Sequence, residues 1–192
     1  MFDKDQFLQI IAHASCSEGK FESSILKAFK IDDSDGIAIA LGFKANMISK
    51  VDYFVSKNND VQLIELSDLE KRVQSCLIDI DKELGQLKDL NDIKGEPVTK
   101  REEKDIKNRA WKDTKDEFHK KWSGSIAVIE RLYRKTGELG DADPSYRLLI
   151  ICKDHTDVRM LDALKTQLSG MMSSVVICTT KTLSAALIEP SL

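Results

Sequence analysis

Two acidic residues, Asp52 and Glu65, interrupt runs that are otherwise mostly apolar. The first lies in Lys50-Val51-Asp52-Tyr53-Phe54-Val55 and the second in Leu63-Ile64-Glu65-Leu66-Ser67. Lys57-Asn58-Asn59-Asp60 between them is a hairpin turn, so the two runs are expected to pair as adjacent strands. Adjacent strands lie about 4.8 Å apart, close enough for two carboxylates on one face to share an ion. Buried acids at that spacing are costly and repel one another unless a cation joins them. Mg2+ or Mn2+ suits such a pair, because hard divalent cations take carboxylate and carbonyl oxygens. A cation held there would polarise a phosphoryl oxygen and acidify a bound water, the chemistry of phosphodiester hydrolysis. The competing reading places both acids at strand ends, solvated or paired with lysines such as Lys50.

The elements that would position these residues follow from periodicity. Phe7, Ile10 and Ile11 predict a helix over 4–15, and Phe21, Ile25, Leu26 and Phe29 a second over 20–30. Asp32-Asp33-Ser34-Asp35-Gly36 marks a turn, and strands are expected at 37–41, 50–56 and 61–66. Ser67 and Glu70 have capping-box spacing at the start of a helix. Its apolar stripe runs through Val73, Cys76, Leu77, Ile80, Leu84 and Leu87. After the break at Gly95-Glu96-Pro97, residues 98–122 are dense in charge of both signs. Ile106, Ala110, Trp111, Phe118 and Trp122 supply a sparse apolar stripe there. The spacing predicts a helical hairpin over 68–122, with a kink at Ser123-Gly124 before a core-facing helix from Ile126 to about residue 137. A buried strand (146–152), an amphipathic helix (158–168), a second buried strand (174–179) and a short helix (181–188) complete the chain. The last two strands are expected to be a parallel pair with a crossover helix.

This order of elements, with Asp52 opening one strand of a hairpin and Glu65-Leu66-Ser67 on the next, resembles the PD-(D/E)XK nuclease superfamily. The resemblance runs from about residue 18 onward, outside the charged segment 90–122. It implies a restriction-endonuclease-like α/β fold: a mixed central sheet of about five strands flanked by helices, as one domain over 1–192 with the hairpin as an insertion. It also implies metal-dependent cleavage of DNA by a restriction, defence or repair enzyme. Asp52, Glu65 and the Leu66 carbonyl would hold Mg2+ or Mn2+, assisted by a glutamate from the first helix, Glu22 or else Glu18. The position that carries the lysine in that family is Ser67, which brings no positive charge. Lys120 or Lys121, on the charged helix, are the candidates to replace it. The alternative is an inactive nuclease-like fold that binds a protein partner or a second copy through helices 68–122.

Other features give narrower expectations. Cys16, Cys76, Cys152 and Cys178 form no CxxC pair, and Cys152 and Cys178 lie in apolar runs, so free buried thiols are expected. His13, His119 and His155 are too scattered for a zinc cluster. No nucleophile triad is readable around Cys152-Lys153-Asp154-His155, and no phosphate-binding glycine loop is present. Trp111 and Trp122 suit helix packing better than base stacking. The net charge of -3 neither announces nor excludes a nucleic-acid partner. With no signal-peptide pattern and no long apolar run, a cytoplasmic protein without membrane contact is expected.

Overall fold

The computed structural model describes residues 2–13, 21–138, 143–170 and 174–188. A six-stranded mixed sheet runs in chain order β1 (Leu8–His13), β2 (Glu22–Lys30), β3 (Tyr53–Lys57), β4 (Asp60–Ser67), β5 (Ser145–Cys152) and β6 (Val175–Thr179). The first three pairings are antiparallel, while β4–β5 and β5–β6 are parallel. The β3–β4 turn closes as expected, with Lys57 opposite Asp60 and Asn58 at positive φ (54°), a conformation asparagine tolerates.

The helices are α1 (Ile37–Ala40), α2 (Glu70–Lys94), α3 (Lys100–Ala110), α4 (Lys112–Thr136), α5 (Val158–Leu168) and α6 (Leu183–Ala186). Contacts between α2 and the next two helices run in reverse chain order: Arg72 pairs with Glu117, the Cys76 thiol meets the Ala110 carbonyl, and Glu83 pairs with Arg109. They therefore lie antiparallel in the connection between β4 and β5. Both faces of the sheet are covered. Val61, Leu63, Leu148 and Ile150 pack with Val73 and Ile80 of α2 and with Val128, Ile129 and Leu132 of α4. On the other face Tyr53, Val55, Ile64, Leu149, Ile151 and Cys178 pack with Ile11, Ala28 and Leu183. Two-sided burial is why β4 and β5 read as nearly continuous apolar runs.

Several expectations are corrected. The two N-terminal helices are not formed: 4–15 is a short 3-10 turn followed by β1, and 20–30 is β2. The hairpin buries Ile11 and Ala28 and exposes Ile10 and Ile25, an inside–outside alternation that a helical spacing of apolar residues concealed. The run 37–41 holds α1 rather than a strand, so four of the expected strands form and the N-terminal ribbon supplies the other two of the six. Ser67 ends β4 and caps nothing, since Leu69 is the N-cap of α2 without a side-chain bond. A capping box forms instead at Thr99–Glu102, at the start of α3. The helical layer breaks at Trp111 and runs unbroken through Ser123-Gly124. Its apolar stripe turns inward: Val73, Cys76 and Ile80 are core residues, with Leu84 and Leu87 packed against them.

Cys76, Cys152 and Cys178 are free and buried, and Cys16 lies outside the described residues. Burial pushes the Cys152 thiol up to about 12, which leaves it inert as a nucleophile. Among the described residues no helix is long and apolar enough to cross a membrane.

Candidate active site

Asp52 stands immediately before β3, where three segments meet. Its backbone carbonyl accepts from the Ile31 N–H at 2.8 Å, tying it to the end of β2. Its side-chain Oδ2 accepts from the Leu66 N–H at 2.7 Å, tying it to the end of β4. Glu65, one residue earlier on β4, is 3% exposed and points to the sheet face covered by α4. One Glu65 oxygen accepts from the Lys121 ammonium, while Oε2 is buried with no hydrogen-bond partner.

The electrostatics follow from this geometry. Burial, followed by the Asp52 charge, pushes the Glu65 carboxyl up to about 8, against the pull of Lys121. Asp52 is also raised, chiefly by burial, and the Leu66 N–H and Lys121 oppose the rise. Burial works against the Lys121 charge, but Glu65, Asp52 and Glu117 outweigh it and hold its pKa above the usual value. Two carboxylates and one ammonium thus share a site sealed from water on most sides.

Lys121 is delivered by close docking of α4. At Gly124 a Cβ would fall 1.9 Å from the Ser49 carbonyl oxygen, so only glycine lets the helix approach this strand entry. One residue on, the Ser125 hydroxyl donates to the Lys121 carbonyl at 2.7 Å and accepts from the Val51 N–H at 2.9 Å. A single fully buried hydroxyl therefore joins the backbone bearing Lys121 to the backbone leading into Asp52.

Beside the acids opens a cleft of about 550 Å³, lined by Asp32, Asp33, Asn46, Ser49, Lys50 and Lys121 among others. The Lys50 side chain is only 2% exposed, and its ammonium meets Asp32 at 2.7 Å and the Ala45 carbonyl at 3.2 Å. Sequence reading took Asp32-Asp33 for a turn and Lys50 for a possible partner of the strand acids. The fold instead pairs Lys50 with that turn, and the charges of Asp32 and Asp33 both bear on Asp52. The signal available was a lysine inside an apolar strand entry.

The structure brings Asp52, Glu65, Leu66 and Lys121 together. Lys120, the neighbouring candidate, is exposed. Glu22 is not brought to this group: it lies on β2, and its carboxylate accepts from the Asp154 N–H and from the Thr180 hydroxyl at 2.8 Å. Glu18 lies outside the described residues. Among the described residues no group of three or more His, Cys, Asp or Glu side chains is placed to hold a metal ion. A cation here would rely on two carboxylates plus backbone or water oxygens, a donor set that suits Mg2+. The unpartnered Glu65 Oε2 fits that role, because a buried carboxylate oxygen without a donor is costly unless something positive meets it. Comparison with known proteins returned no matching family model, no similar curated protein and no similar solved structure.

Proposed function

We propose that the chain is a metal-dependent nuclease that hydrolyses phosphodiester bonds of DNA. The observation that carries this reading is the buried pair Asp52 and Glu65, with one Glu65 oxygen unpartnered and Lys121 delivered to the other. The antiparallel succession β2–β3–β4, followed by helices and a strand β5 parallel to β4, agrees with the order the superfamily resemblance implies. In place of a leading helix this chain has β1.

Asp52 and Glu65, with the Leu66 carbonyl, are the groups that would hold Mg2+ or Mn2+. When bound, the cation supplies charge at the phosphoryl oxygen and acidifies a water. The rest is done by the chain. The Leu66 N–H fixes the Asp52 carboxylate. Burial and the Asp52 charge push the Glu65 carboxyl up to about 8, so holding the cation at neutral pH would require it to give up a proton. Lys121 stays charged beside Glu65 and is the candidate to meet developing negative charge, the role that Ser67 cannot take. A homodimer, placing two such sites on the two strands of a duplex, is compatible with this reading.

The test is cleavage of single- and double-stranded DNA with Mg2+ or Mn2+ by the wild type and by Asp52→Ala and Glu65→Ala. The expected result is metal-dependent cleavage, reduced roughly 100-fold or more in either variant, the scale on which removing an electrostatic stabiliser acts. Cleavage that survives both substitutions would refute the assignment. A second reading keeps the fold and replaces catalysis by partner binding, and the exposed Leu90 and Ile93 near the end of α2 favour it. Aspartate substitutions there would abolish partner binding under that reading and leave DNA cleavage untouched under the first.

A further inference from the structure

The cleft between the turn after β2 and the N-terminal side of α4 is not needed to hold a cation, yet it is built. It sits against Asp52 through Asp32 and Asp33 and shares Lys121 with the acidic pair. Its volume of about 550 Å³ lies within the range of small-ligand sites. It has room for one nucleotide unit rather than for a duplex. Its lining is mainly polar. Lys50 is held nearly buried at its wall by Asp32 and the Ala45 carbonyl, while Asn46, Ser34 and Ser49 can offer amide and hydroxyl groups, and Ile48 provides an apolar surface.

A lysine in this position carries a chemical preference. Its ammonium has three donors, and two are engaged, by Asp32 and the Ala45 carbonyl. A phosphate entering the cleft competes with the Asp32 carboxylate for the ammonium charge. We propose, on the basis of the nuclease reading, that this cleft seats the nucleotide next to the scissile bond. Lys50 binds its phosphate, and Asp32 is the intramolecular stand-in that the phosphate displaces. The substrate strand is therefore single or frayed at the cleavage point, because a paired duplex does not fit the cleft.

The experiment uses the full chain and thymidine 3′,5′-bisphosphate, titrated by calorimetry with and without Mn2+. Three proteins are compared: wild type, Lys50→Met, which keeps the apolar stem and removes the charge, and Asp32→Asn, which frees Lys50. The expected result is binding weakened at least about tenfold by Lys50→Met and tightened by Asp32→Asn, with Mn2+ still bound by both variants in the absence of nucleotide. Nucleotide affinity indifferent to both substitutions overturns the inference, and if Mn2+ still binds, the nuclease reading survives it. Lys50-dependent nucleotide binding without any Mn2+ binding supports the cleft and removes the nuclease. Should Lys50→Met fail to fold, Asp32→Asn decides alone, and an unchanged or weaker affinity overturns the proposal.

Discussion

Glu65 is subject to opposing forces whose balance is measurable. Burial and Asp52 favour its neutral form, and Lys121 favours its charged form. Its folded pKa of about 8 lies above the ordinary 4.5, so the folded state binds more protons across that interval. The corresponding stability is fully present below about pH 4.5 and is lost as pH rises through about 8. Glu65→Gln removes that dependence, and at pH 8.5 it is expected to stabilise the metal-free protein by roughly 2 kcal/mol or more. Thermal melts of both proteins from pH 5 to 8.5 check this, and parallel curves would contradict it. The lysine assignment has its own test. Lys121→Ala is expected to lower DNA cleavage by at least about 100-fold. Adding Ser67→Lys, on the same side of β4 as Glu65, should restore part of it. Undiminished cleavage by Lys121→Ala would remove the lysine from the mechanism. Asp52 and Glu65 stood out in the sequence as acids among apolar residues, whereas Lys121 entered, with Lys120, only as a substitute for the lysine that the family resemblance implies at Ser67. The pairing of Asp32 with Lys50 was not legible, because residues far apart in sequence that meet only in the fold carry no spacing signal.

At the scale of elements, α4 decides whether the site exists. Its docking depends on Gly124 against the Ser49 carbonyl and on Ser125 bridging to Val51. Alanine in place of glycine normally favours a helix by about 1 kcal/mol. Here the clash outweighs that preference, and Gly124→Ala is expected to destabilise the protein by roughly 1–3 kcal/mol and to depress cleavage by retracting Lys121. Denaturant melts and cleavage rates measure both, and a stabilised variant would contradict the account. Ser123-Gly124 read as a kink in the sequence. A helical glycine has two uses, bending and close approach, and only the neighbouring backbone tells them apart. The strands from 50 onward and the long helices were readable, since long strongly periodic segments and apolar runs bounded by turns have few alternatives. The segments 4–15 and 20–30 were misread because apolar residues at helical spacing also occur in a ribbon that forms one edge of the sheet and leaves Ile25 93% exposed.

At the scale of the molecule, that ribbon carries a second buried polar group. His13, at the end of β1, is 5% exposed and its Nε2 has no hydrogen-bond partner. Burial lowers its pKa below 6.5, with the Lys153 charge acting the same way and Glu22, Asp68 and Asp154 opposing. The unfolded chain therefore binds a proton below about pH 6.5 that the folded chain resists, and stability falls as pH drops through that region. His13→Gln is expected to lose less stability than the wild type between pH 6.5 and 5 in chemical denaturation, and identical losses would contradict this. Below about pH 6.5 the His13 and Glu65 dependences oppose one another, and from there to about 8 the Glu65 loss acts alone, a loss that a bound cation offsets. Composition alone could not show this, because the net charge of -3 averages over both groups.

The central claim is that Asp52 and Glu65 hold a divalent cation. Calorimetric titration of Mn2+ into the wild type and into Asp52→Ala/Glu65→Ala, repeated in two buffers of different ionisation heat, tests it most directly. A single site is expected in the wild type, with a proton released on binding at pH 7, and no site in the double variant. Equal binding by both proteins, or wild-type binding without proton release, would contradict it.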